Sequence, residues 1–179
     1  MDAARTVLLL SGSTRNGSTN TATLRTARAM APDGVRATLY ESLPDLPAFS
    51  PDLDREPLHP VVTDLRQRIG AADAVLICTP EYAGGLPGSF KNLLDWTVGG
   101  GEMYGRRVAW INVSSVASPT GGADAHASLA TVLGYVGADV VAAACLRMPI
   151  TRDAVGADGE LTDPQFRDRI RTALETLLG

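Results

Sequence analysis

The chain has 179 residues, of which 45% are hydrophobic and 20% charged, with a formal net charge of −4. That length is enough for one domain with a sizeable core. The mild acidity, with no basic run, argues against nucleic acid or an anionic membrane as a partner.

The chain reads as alternating strands and helices. Residues 5–10, RTVLLL, form a short continuous apolar run, expected of a strand buried on both faces. The run is too short for a signal core or a spanning helix, so the expected location is the cytoplasm. A helix is predicted from Thr19 to Ala31, closed by the Pro-Asp-Gly of 32–34. VRATLY (35–40) alternates and reads as a second strand, and 41–57, with four prolines, reads as a loop. A helix follows within 57–70, with Val61, Val62, Leu65 and Ile69 on one face. Residues 73–78 are a third buried strand, and 87–97 a helix carrying Phe90, Leu93 and Leu94. Residues 106–115 are a fourth strand running into a loop, and 121–137 a helix ended by Gly137. ADVVAAACL (138–146) is predicted as the fifth strand. The last helix starts at Asp163-Pro164, a capping residue followed by proline in the first turn.

Five strands alternating with five helices predict one α/β domain over 1–179, a doubly wound parallel sheet with helices on both faces. Ligands in such sheets bind beyond the carboxyl ends of the strands. Attention therefore falls on the segments 11–20, 79–88 and 114–122, all rich in Gly, Pro, Ser or Thr.

The first segment, SGSTRNGSTN, nearly matches a nucleoside-triphosphate loop: Gly12, four residues, Gly17. Ser18 stands where that loop needs lysine, and strands three and four end without the aspartate that would hold magnesium. Triphosphate hydrolysis is therefore not expected. The segment still offers eight polar side chains in ten positions, far more than one helix cap needs. At a helix start, with free N–H groups and a positive dipole end, that suits a phosphate.

The second segment, TPEYAGGLPGSFKNLLDW (79–96), is stiffened by Pro80 and Pro87 and opened by Gly84, Gly85 and Gly88. Such a backbone can present N–H groups to a flat heterocycle. Lys91 is the single lysine beside fifteen arginines, so it reads either as a solvated helix residue or as a selected ammonium. Trp96 reads as core or interface. The two cysteines, Cys78 and Cys145, form no CxxC pair, so no disulfide framework is implied. His59 and His126 are isolated, and no HExxH or GxSxG pattern occurs, so neither a metal site nor a serine hydrolase is expected.

Together the two segments resemble the NADPH-dependent FMN reductase family, which includes bacterial quinone, chromate and azo-dye reductases. Gly12, Ser13, Arg15, Ser18 and Asn20 meet its first signature; Pro80, Glu81, Tyr82, Pro87, Gly88, Lys91, Asn92, Asp95 and Trp96 meet its second. One departure stands out: Ala83 occupies the position where the family usually has Asn. The loop SSVASPTGGA matches only loosely.

The resemblance implies a flavodoxin-like sheet of order 2-1-3-4-5 and an FMN cofactor reduced by NADPH or NADH. It implies that Ser11, Ser13, Arg15, Ser18, Thr19 and Asn20 hold the FMN phosphate. Pro80, Glu81, Tyr82 and Ala83 would lie along the isoalloxazine, and Ser114, Ser115 and Gly121 would close over its other edge. No acid–base residue is needed, because the flavin carries the redox chemistry. The expected activity passes electrons from NAD(P)H to a small-molecule acceptor: a quinone, an azo compound, a metal oxyanion or free flavin. An electron carrier of flavodoxin type and a reductase supplying reduced FMN to a monooxygenase are the alternatives. The resemblance also implies a homodimer or homotetramer, with helix 87–97 near the contact.

Overall fold

A computed structural model describes residues 4–114 and 119–179. The strands are β1 (Arg5–Ser11), β2 (Val35–Tyr40), β3 (Ala74–Thr79), β4 (Arg107–Ser114), β5 (Asp139–Val140) and β6 (Leu146–Pro149). The helices are α1 (Thr19–Ala29), α2 (Pro60–Ala71), α3 (Gly88–Asp95), α4 (Ala123–Tyr135) and α5 (Pro164–Leu178). Every strand pair is parallel, and the order is β2-β1-β3-β4-β5, as expected for the flavodoxin-like fold. No helix among the described residues is long and apolar enough to cross a membrane.

The central strands are apolar on both faces because helices cover both. Val7, Leu9, Leu76, Ala109 and Ile111 face a cluster completed by Leu24 of α1 and by Ile170, Leu174 and Leu177 of α5. The intervening Leu8, Leu10, Val75, Ile77, Val108 and Trp110 face α2, α3 and α4. A period of two therefore splits each strand between two cores.

The fifth strand departs from its prediction. Residues 138–146 are not one strand: β5 pairs only with Arg107–Val108, and β6 pairs with Ile111–Ser114. Between them a 3-10 turn spans Ala142–Ala144, closed by Ala144 N–H to Val141 O (2.9 Å) and Cys145 N–H to Ala142 O (3.1 Å). The pieces together fill one edge position beside β4, where pairing on a single side tolerates an interruption. The break carries β6 to the carboxyl end of the sheet, and residues 150–152 follow at the rim.

Helix α3 ties down the proline-rich segment 41–57. Asn92 accepts from Phe49 N–H (2.7 Å) and donates to Pro47 O (2.9 Å), and Trp96 Nε1 donates to the same carbonyl at 2.8 Å. Phe49 meets the Trp96 ring edge-on at 5.0 Å. Trp96 is fully buried within this chain, so its side chain belongs to the core and not to a surface. Lys91 forms an ion pair one helical turn away with Asp95 (2.6 Å) on a half-exposed face, the solvated reading of that residue.

Candidate functional site

The order of the strands puts the switch point between β1 and β3, and the loops leaving these two strands meet there. Gly12 N–H donates to Cys78 O at 2.8 Å, carrying the β1–β3 pairing one residue past the sheet. A Cβ on Gly12 would lie 2.2 Å from Thr79 Oγ1 and 3.1 Å from the Phe90 ring. Only glycine lets the first loop turn this close to β3.

Beyond Gly12 the loop is held by its own side chains. Ser11 Oγ accepts from Ser13 N–H (3.3 Å) and contacts Thr21 Oγ1 (2.9 Å), and Ser13 Oγ accepts from Arg15 N–H (3.3 Å). Ser18 is the N-cap of α1 and accepts from Asn20 N–H at 3.2 Å. Asn20 turns its Oδ1 to the buried thiol of Cys78, 3.4 Å away. Burial pushes that thiol well above its usual range, against a weaker opposing hydrogen bond with Thr23, so it stays protonated and can donate. The backbone N–H groups of Asn16, Gly17, Ser18 and Thr19 have no acceptor among the described residues, and the Arg15 guanidinium has no partner there.

The second loop contains a tight turn. Tyr82 and Gly85 exchange N–H to C=O bonds, both at 3.0 Å, around Ala83 (φ 50°) and Gly84 (φ 73°). Two successive positive φ values at a two-residue turn are the type I′ pattern, which favours Asn-Gly. Ala83 carries its Cβ in the left-handed region where a small amide is better tolerated. Tyr82, next to the turn, is 55% exposed.

Glu81 faces away from the turn. Its carboxylate accepts from the Thr120 hydroxyl and from the N–H groups of Asp124 (2.9 Å) and Ala125 (3.0 Å). The α4 N-cap, Gly122, is left-handed (φ 82°) and has no side chain, so a residue from another loop does the capping. The Thr120 hydroxyl holds the Glu81 carboxyl below its usual range, helped by the two N–H groups and opposed by burial. Further along α4, His126 Nδ1 accepts from Trp110 Nε1 at 2.9 Å, with the rings edge-on. That bond needs a neutral imidazole, and burial, with Arg147 nearby, lowers the His126 pKa accordingly.

These loops border a cleft of about 560 Å³, within the range of small-molecule sites. Ser13, Arg15, Ser18, Thr19 and Asn20 line one wall; Pro80, Glu81, Tyr82 and Ser114 line it further along. Ser11 opens instead into an adjoining pocket of about 210 Å³, shared with Ser13, Arg15 and Ser18. Ala83 and Gly121 line neither, and Ser115 lies outside the described residues. The sequence reading missed Val113, Ile150, Thr151 and Arg152, which complete the cleft. A basic residue just past the fifth strand was the available signal, but its location depended on the break between β5 and β6.

The donor set suits a phosphate monoester: a helix start, several unpaired N–H groups, hydroxyls and an unpaired guanidinium. It lacks an ammonium for a triphosphate tail. Pro80, Glu81 and the exposed Tyr82 lie along the same cleft, as a flat ring joined to that phosphate would require.

Comparison with known proteins agrees with this chemistry. The model of the family described as NADPH-dependent FMN reductase matches residues 5–151. An NAD(P)H-dependent FMN reductase of Pseudomonas aeruginosa is 31% identical over 173 residues, covering 96% of this chain and 92% of that protein. A quinone reductase of Escherichia coli is 37% identical over 91 residues, covering 50% of this chain and 48% of its own. Among solved structures, the flavoenzyme FerB of Paracoccus denitrificans, an NAD(P)H:(acceptor) oxidoreductase, superposes with a TM-score of 0.84 at 29% identity. The match covers 97% of this chain and 95% of that one.

Proposed function

The chain belongs to the NADPH-dependent FMN reductase family, and from that premise we propose how its residues serve the activity and which acceptor it takes. It is an FMN-dependent NAD(P)H oxidoreductase. FMN, when bound, supplies the chemistry that accepts a hydride from NAD(P)H and passes the electrons on.

The first loop holds the phosphate. Arg15 and the free N–H groups of Ser18 and Thr19 are the observation that carries this reading, because they meet in one cleft with the second loop, while those of Asn16 and Gly17 open into the adjoining pocket. The N-cap Ser18 keeps the start of α1 in place, and Gly12 lets the loop sit against Thr79. Along the second loop, Pro80 stiffens the backbone and Tyr82 covers one side of the ring. The N–H group of Glu81, which lines the cleft, has no acceptor among the described residues and can stabilise negative charge that develops on the ring, with Ala83 in the turn just beyond it. Glu81 positions that loop by gripping α4. Ser114 contributes from the end of β4, and Ser115 and Gly121 are assigned to the ring's other edge on the resemblance alone. No side chain need exchange a proton with the substrate.

Quinones are the acceptor class this reading favours, supported by the likeness to quinone reductases and by a cleft open to solvent. Azo compounds, metal oxyanions and free FMN are the acceptors to screen beside them. The working form is a homo-oligomer in the cytoplasm. Arg15→Ala tests the site: FMN affinity of the apoprotein falls about tenfold or more, the worth of a charge-assisted hydrogen bond. Riboflavin, which lacks the phosphate, binds the variant and the parent equally. Unchanged FMN affinity would overturn the placement. Steady NADPH oxidation with a quinone separates the enzyme from a carrier, and turnover proportional to added FMN would mark a flavin-supplying reductase.

A further inference from the structure

The cleft holds a second cation that the flavin reading leaves unused. Arg152 lines it from the segment after β6, and its guanidinium has no ion pair or hydrogen bond among the described residues. It lies one residue beyond the 5–151 matched by the family. We propose that Arg152 is an anchor for the phosphoryl groups of the nicotinamide dinucleotide, the second ligand that the cleft must seat in every turnover. The proposal rests on the FMN reading of the same cleft.

Position and charge carry the argument. Ser11, where the phosphate loop begins, ends β1; Pro149 ends β6, and β3 and β4 lie between them in the sheet. At about 4.8 Å per strand, those ends stand roughly 14 Å apart. One monophosphate already finds Arg15, the α1 start and several N–H groups at its own end. Arg152 is thus a surplus cation on the opposite wall. It is also exposed, as suits a ligand that comes and goes at the mouth of a cleft more than a resident cofactor. The carboxylate that lines the cleft, Glu81, is not paired with Arg152: its oxygens accept from Thr120 and from the N–H groups that start α4. The neighbouring Asp153 is engaged by the Thr151 hydroxyl, which holds its carboxyl below the usual range. A dinucleotide brings two pyrophosphate charges, and NADPH a third phosphate on the adenosine ribose. A guanidinium binds either kind of group well.

The test uses the FMN-loaded protein and its Arg152→Ala and Arg152→Lys variants, titrated calorimetrically with NADP⁺ and NAD⁺. The expected result for Arg152→Ala is roughly a tenfold loss of NADP⁺ affinity, reduced at high salt and partly restored by lysine. Loss for NADP⁺ alone assigns Arg152 to the ribose phosphate; equal loss for NAD⁺ assigns it to the pyrophosphate. FMN titration of the apoproteins is the control: Arg152→Ala keeps its FMN affinity while Arg15→Ala loses it. Unchanged affinity for both dinucleotides overturns the inference. So does a loss of FMN affinity in Arg152→Ala matching that of Arg15→Ala, or a shifted flavin potential with dinucleotide binding intact. Failure of the FMN reading is seen separately, as an Arg15→Ala protein that still binds FMN normally.

Discussion

The carboxylate of Glu81 accepts a hydrogen bond from the backbone N–H of Ala125, 3.0 Å away and 44 residues along the chain. This contact ties the loop after β3, which lines the candidate site, to the start of α4. Glu81→Gln keeps the shape and removes the charge. It should lower stability by about 1–2 kcal/mol at neutral pH, the scale of a helix cap with charge-assisted bonds. The folded pKa of Glu81 is depressed, so its contribution is present above its unfolded value, near about pH 4.3, and is lost as pH falls through the lower folded value. Urea unfolding of both proteins at pH 7 and pH 3 checks this. The gap should narrow on acidification, and an equal gap at both values would rule out the charge as its source.

Ala83 sits at φ 50° in a turn that favours Asn-Gly. Ala83→Asn should raise stability by about 1 kcal/mol, because asparagine tolerates the left-handed region better than alanine does. A thermal melt of the variant reads the gain directly. No gain, or a loss, would mean that the turn relaxes around alanine without strain.

Gly12 and Gly17 should respond differently to alanine. At Gly12 the added Cβ meets Thr79 Oγ1 at 2.2 Å, whereas at Gly17 nothing lies within 4 Å and only the φ of 65° is unfavourable. Gly12→Ala is expected to cost about 1–3 kcal/mol through overpacking and to weaken FMN binding by displacing the first loop. Gly17→Ala should cost about 1 kcal/mol. Denaturant midpoints and FMN titrations of the two variants decide it, and equal effects would show that the contact with β3 is not what constrains Gly12.

Trp110 donates to a neutral His126 at 2.9 Å. The folded pKa of His126 is depressed, by burial first, so its contribution is present above its unfolded value, near about pH 6.5, and is lost as pH falls through the lower folded value. Stability should therefore begin to fall below about pH 6.5, and tryptophan emission should change at the lower pH where the folded imidazole gains its proton. His126→Ala should remove that part of the pH dependence. A pH profile identical to the parent's would place its origin elsewhere.

Much of this protein could be read from the chain alone. Continuous apolar runs at 5–10 and 73–78 marked strands covered on both faces, since only such strands need no polar alternation. Asp163-Pro164 marked the start of α5 because capping and proline geometry are local. The two signatures were legible for the same reason: each is a strand end followed by a loop and a helix start within about twenty residues. The break at Ala142–Ala144 was not legible, because the stretch after Asp139, VVAAACL, is apolar and carries no Gly, Pro, Asn or Asp at the interruption. Its interruption is set by which residues of β4 the edge strand meets. The partner of Glu81 was hidden too, since α4 lacks a capping side chain of its own and only packing brings the loop to it. Arg152 enters the cleft by the same kind of long-range placement, through the β4–β6 register. The sequence by itself determined most of the elements, their alternation and the polar loop that starts α1, all properties of neighbours in the chain. Which distant side chains complete the cleft was decided only when the sheet order brought the ends of β1, β3, β4 and β6 to a single rim.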